Sequence, residues 1–361
     1  MMKLSLSSLH ILIALFAPAA SGQETAPWIW QPVVPVEGLA PLPRSAGTAV
    51  FDPVARRLVI FGGESDQGLL NDVWAFDLLT RVWSELVTTG EKPEPRLGAN
   101  AVYDPNGHQM AIWAGQQGSR FFDDTWALDL QRLEWRNLSP SPGQRPQARY
   151  GAGAVFDPLE RAMVQFAGFT DLSQRFNDTQ VFDLDSLSWE EVGPQRDSAR
   201  PVMRCLLTAA LDPGSRTMII HGGQRTGPLD DTWAFDLGTR EWTNLTPEAR
   251  PAGRMLASSF ADGERRFVVF GGATDAGRVQ ETWVFDLSRG EWTRLEIPDP
   301  PPPREAAMSA LVEDEERFLV FGGRGDARLN DLWELRRAAV EGTGSYRNFS
   351  SSSRIVSGAV R

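Results

Sequence analysis

Hydrophobic and polar positions alternate in short runs, and turn residues break the runs at regular intervals. The stretch 44–86 sets the pattern. Arg44 opens a run of small residues, Gly47-Thr48-Ala49-Val50-Phe51, which ends in an Asp52-Pro53 turn. A second apolar run, Leu58-Val59-Ile60-Phe61, stops at Gly62-Gly63. After a polar loop, Asn71-Asp72 leads into Val73-Trp74-Ala75-Phe76-Asp77, and a short turn gives Val82-Trp83-Ser84-Glu85-Leu86. Period-2 runs bounded by Gly, Pro, Asn and Asp read as strands, so this stretch predicts four antiparallel strands in succession.

The pattern then repeats. The glycine pair, intact or with Ala in its first position, returns at Gly62, Ala114, Ala167, Gly222, Gly271 and Gly322, with gaps of 52, 53, 55, 49 and 51 residues. A period near 50 residues marks a propeller array with one four-stranded blade per repeat. Third-strand tryptophans recur at Trp74, Trp126, Trp233, Trp283 and Trp333, with Gln180 in their place in the third repeat. Outer-strand tryptophans recur at Trp83, Trp135, Trp189, Trp242 and Trp292. These motifs resemble kelch repeats over nearly all of residues 28–335. The resemblance implies an all-β, six-bladed kelch-type β-propeller with four antiparallel strands per blade. First strands rich in Gly, Ala, Ser and Thr suit six sheets converging on one axis. Most of the 13 tryptophans belong to the core, filling the wedges between sheets.

The blades span about 44–86, 96–138, 149–192, 204–245, 254–295 and 304–335. The sixth lacks an outer-strand Trp, whereas Trp30 and Val33 ahead of the first repeat match the spacing of Trp83 and Leu86. Residues 28–33 are therefore predicted to supply the outer strand of the last blade, covering an otherwise open sheet edge.

The ends and the composition add a location. Residues 1–22 have the pattern of a signal peptide: Lys3, an apolar run from Leu9 to Phe16, then small residues up to Gly22. That run is too short for a membrane span. Residues 336–361 form a Ser-rich tail without periodicity, expected to be disordered. Cys205 is the sole cysteine, so no intrachain disulfide can form. An exported protein built without disulfides points to a bacterial secreted or periplasmic location. A net charge of −11 with no basic stripe argues against nucleic acid. A monomer is expected.

The candidate chemistry is positive. Arg44, Arg96, Arg149, Arg204, Arg254 and Arg304 each open a first strand, 18 residues before the glycine pair (17 for Arg254). At the start of the third strands stand Asp72, Asp124, Asp178, Asp231, Glu281 and Asp331. Two readings stay open. Each Arg pairs with an acid in its own or the next blade, or several remain free to clamp an anionic ligand by bidentate bonds. Kelch domains that grip acidic peptides resemble the second, and Tyr150 beside Arg149 joins that candidate set. The loops on the arginine face are long and differ between blades, as ligand-binding loops do.

Catalytic families of similar build fit poorly. Tyr103, Tyr150, Tyr346, His108, His221 and Cys205 cannot assemble the copper site of a galactose oxidase. His221, at a position otherwise aromatic, reads as a core residue. No catalytic residue, metal ligand or cofactor is assigned. The leading expectation is a binding scaffold for a protein, peptide or glycan ligand, anionic ones included. The alternative is a carbohydrate-active enzyme resembling kelch-type sialic-acid epimerases or a copper-less galactose-oxidase-like protein.

Overall fold

A computed structural model describes residues 26–170, 174–194 and 200–338. The predicted signal peptide and most of the Ser-rich tail lie outside these residues. The chain divides into the unit Trp28–Arg337 and a second unit of the flanking segments, Met1–Pro27 with Ala338–Arg361. The first unit is a six-bladed β-propeller of four-stranded antiparallel blades. Its first blade pairs Thr48–Asp52, Arg57–Ser65, Gly68–Asp77 and Trp83–Glu85 in order. The innermost strands touch one another in cyclic order, the last of them, Met308–Val312, meeting the first, Thr48–Asp52.

Trp28–Val33 closes the ring as the fourth strand of the last blade. It pairs antiparallel with Arg328–Arg337, Trp30 opposite Leu335 and Val33 opposite Leu332. The outer indoles then form a relay around the ring. Each packs on the aromatic that precedes the glycine pair of the blade before it: Trp83 on Phe321 at 4.8 Å between ring centroids, Trp135 on Phe61 at 5.2 Å, Trp189 on Trp113 at 4.9 Å. Trp242 lies on Phe166 at 4.6 Å, Trp292 on His221 at 4.8 Å and Trp30 on Phe270 at 4.5 Å. No step is missing, which is why an N-terminal Trp is needed in the sixth blade.

The glycine pair has a specific task. Gly222 has φ +65°, and a Cβ there would lie 2.4 Å from the carbonyl oxygen of Arg254 in the next blade. The following Gly223 donates its N–H to that same carbonyl at 2.8 Å. Four further pairs repeat this bond, including Gly63 to Arg96 at 2.9 Å and Gly272 to Arg304 at 2.8 Å. Blade-to-blade contact is thus a backbone bond that only a residue with positive φ and little side chain permits.

Candidate functional site

Each of the six motif arginines is buried, with no more than 1% of its surface exposed. Arg204 is typical. Its Nη1 and Nη2 donate to the two carboxylate oxygens of Asp231, both at 2.6 Å, while Nη1 also donates to the Gly222 carbonyl at 2.9 Å and Nε to the Val202 carbonyl at 3.0 Å. Arg44 with Asp72, Arg96 with Asp124, Arg149 with Asp178 and Arg304 with Asp331 repeat the bidentate grip. Arg254 reaches Glu281 by one bond of 2.9 Å. Each acid belongs to the same blade as its Arg. The acid is also the acceptor for the third-strand indole, as in Trp233 Nε1 to Asp231 at 2.8 Å. In the third blade Gln180 Nε2 makes the equivalent bond to Asp178 at 2.8 Å.

Of the two sequence readings, pairing within a blade is the one the geometry carries. The expectation that several of the six stay free as an anion clamp gives way, because burial and complete pairing leave no exposed guanidinium among them. They do not line the channel either. That channel, about 220 Å³, is walled by small and polar residues such as Thr48, Asn100, Thr208, Ser259 and Ser309. Its mouth is drawn together by a closed ring of backbone bonds. Ala46, Gly98, Gly151, Leu206, Leu256 and Ala306 all have positive φ. Each donates its N–H to the carbonyl of its counterpart in the preceding blade, from Gly98 to Ala46 at 2.7 Å round to Ala46 to Ala306 at 2.8 Å. Leucine at two of these left-handed positions gave no sign of this in the sequence.

What the long-loop face does expose is aromatic. Tyr150, half-buried, lies 5.8 Å from both Phe121 and Phe169, which are themselves 5.9 Å apart. The guanidinium of Arg175 sits 5.3 Å over the Phe169 ring. Its Nε is buried without a partner among the described residues, Nη2 lies 3.4 Å from Gln224 Oε1, and the guanidinium also reaches the Cys205 thiol. Cys205 is buried beside this group, and burial pushes its thiol up against the opposing pull of Arg175, leaving a poor nucleophile. Burial likewise raises Tyr150. Sequence reasoning found Tyr150 but missed Phe121, Phe169 and Arg175, which stand in loops with no repeat register to flag them.

His221 is wholly buried, its Nδ1 3.1 Å from Thr232 Oγ1. Burial, with the nearby Arg254, lowers its pKa from 6.5 to about 3, so the fold holds it neutral. A depressed basic group favours the folded state above its unfolded pKa. That stability drains as pH falls below 6.5, by about 1.4 kcal/mol per unit. Wild-type protein should therefore lose about 2 kcal/mol between pH 6.5 and 5 through this residue alone. His221→Phe, matching Phe61, Phe166, Phe270 and Phe321, should flatten the profile in urea melts at the two pH values. An equal slope in both proteins would show that His221 titrates freely. His108 lies elsewhere, on the short-turn face, against Asp52 at 3.0 Å. Among the described residues no three His, Cys, Asp or Glu side chains are placed to hold a metal ion. Nor is any helix there long and apolar enough to cross a membrane.

A family model described as the KLHDC2/KLHL20/DRC7 Kelch-repeats domain matches residues 24–210 and 194–350. Among curated proteins the chain is similar to the flagellar outer-arm dynein alpha chain of Chlamydomonas reinhardtii, 28% identical over 45% of this chain and 4% of that protein. It is also similar to host cell factor homolog hcf-1 of Caenorhabditis elegans, 26% identical over 60% of this chain and 29% of the relative. The leucine-zipper-like transcriptional regulator 1 homolog of Drosophila melanogaster is 27% identical over 60% of this chain and 22% of its own. The matched region thus spans less than a third of each of these relatives.

Proposed function

The chain belongs to the kelch-repeat family, and from that premise we propose that it is an exported interaction scaffold whose ligand docks on the long-loop face, at the aromatic group of Phe121, Tyr150 and Phe169. A kelch propeller fits a protein-interaction scaffold, and protein partners are the coarse expectation for the family. The observation that carries the finer reading is the half-buried aromatic triad with Arg175 beside it. Aromatic and Arg side chains supply most of the binding energy in protein interfaces. The half-buried guanidinium of Arg175, over the Phe169 ring, gives an acidic side chain or a chain-terminal carboxylate of a peptide a cation to bind. Export rests on the pattern of residues 1–22. The enzymatic alternative gains nothing from Cys205 beside the triad or from His221 in the core, both buried and neutral.

The test is comparative. Protein produced with its own leader should be recovered outside the cytoplasm with a new N-terminus near Gln23. From envelope extract the wild type should retain a partner that Tyr150→Ala and Arg175→Ala each lose by about tenfold or more, as hot-spot truncations do, with melting temperatures unchanged. Equal retention by wild type and both variants would refute the docking face. Retention of the intact leader on cytoplasmic protein would refute export.

A further inference from the structure

The seam between the second and third blades is built differently from its counterparts. In the other five blades an indole fills the third-strand position and donates Nε1 to the acid two residues before it, at 2.7 to 2.9 Å. Gln180 reproduces the donated bond but not the ring. On the same seam Trp189 Nε1 and Thr125 Oγ1 are both buried without a partner among the described residues, as is Trp135 Nε1 one seam earlier. The corresponding bonds are made at three other seams: Trp242 to Thr179 at 3.1 Å, Trp292 to Thr232 at 3.2 Å and Trp30 to Thr282 at 2.9 Å. A cleft of about 630 Å³ opens over the third blade beside this seam, bordered by Gln180, Trp189, Glu191, Phe176, Arg145 and Met203. This volume falls in the range of small-ligand sites. Trp113, the one Trp to replace the usual Phe before a glycine pair, is fully buried and does not line it.

The geometry points to a socket for one aromatic side chain of a protein partner, an indole or phenol presented by a peptide and seated where the sister blades keep their own Trp. Arg175, which stacks on Phe169 of the loop-face triad, also borders this cleft, so the two sites adjoin, while Gln180, Trp189 and Met203 belong to the cleft alone. Its occupant is defined by the repeat itself: the other five blades carry an indole at this third-strand position, and the third blade keeps the polar contact through Gln180 while leaving the ring out. Trp189 and Phe176 offer faces for stacking. Around them Gln180, Glu191 and Arg145 can accept or donate at the edge of the ring and along the peptide that carries it.

N-acetyl-tryptophanamide is the probe, titrated against the whole protein and followed through the ligand's NMR signals. Saturable binding to wild type is expected, with none for N-acetyl-leucinamide. Gln180→Trp should fill the socket from within, weakening binding by at least about tenfold while the melting temperature holds or rises. Met203→Trp, on the 41% exposed rim, blocks entry without touching the core and should act in the same direction. The assignment is overturned if wild type shows no saturation, if leucinamide binds equally, or if both Trp variants bind as well as wild type.

Discussion

A chain cut before Ala40 is expected to unfold or associate instead of persisting as a closed ring. The strand it loses buries Trp28 and Trp30 to 7% and 6% exposure. Trp30 packs on Phe270 and donates Nε1 to Thr282 at 2.9 Å, and Trp28 meets Phe260 edge-on at 6.1 Å. Truncating one buried Trp costs about 3–5 kcal/mol, so two of them rival the whole of a typical domain's stability, about 5–15 kcal/mol. The cut also bares the Arg328–Arg337 strand, with its unpaired backbone groups open to another copy. Size-exclusion chromatography should show aggregates, and any folded remainder should melt well below the parent. Trp30→Ala alone keeps the backbone pairing, and should elute as the parent does while melting roughly 10 °C lower. A truncated protein that ran as a monomer and melted with the parent would remove the closure strand's role.

Much of this was legible because the propeller repeats its reasons. The glycine pair, the two tryptophans per repeat and the Trp30–Val33 spacing each have one geometric use, so counting them gives blade number and closure. The arginines were harder. Their match in number with the third-strand acids was visible, but depth was not. Whether a guanidinium lies under the mouth or at it depends on how far the first strand tucks beneath the ring of Ala46, Gly98, Gly151, Leu206, Leu256 and Ala306. That ring needs left-handed backbone at Leu206 and Leu256, which no propensity would assign. Gln180 was noticed as a departure from the repeat, yet a missing ring becomes a cleft only if its neighbours decline to collapse. The triad of Phe121, Tyr150 and Phe169 joins three loops whose lengths differ, so only Tyr150, beside a motif Arg, carried a signal.

Removing one motif acid should cost nearly as much as removing a Trp. Asp231→Ala leaves Arg204, 0% exposed, facing an empty site, and takes away the acceptor of Trp233 Nε1 as well. Burial by itself would push the Asp231 carboxyl up, but the hydrogen bonds and charge of Arg204, with the Trp233 N–H, outweigh it and hold the group below the usual carboxylate range. Stranding the buried partner of such a pair costs about 3–5 kcal/mol, against about 0–1 kcal/mol for an exposed pair. Urea denaturation at neutral pH should place Asp231→Ala in the first class. Arg204→Met combined with Asp231→Leu should lose less than Asp231→Ala alone, since no unpaired charge remains. Asp72 and Asp331, lowered in the same way, make the sign of the acid response plain. Their contribution is complete above about pH 4 and is lost as pH falls through their folded values, below the range from pH 6.5 to 5 in which the His221 comparison is made. A loss under about 1 kcal/mol for Asp231→Ala would mean that water reaches Arg204, and would return the six guanidiniums to the list of groups able to meet a ligand.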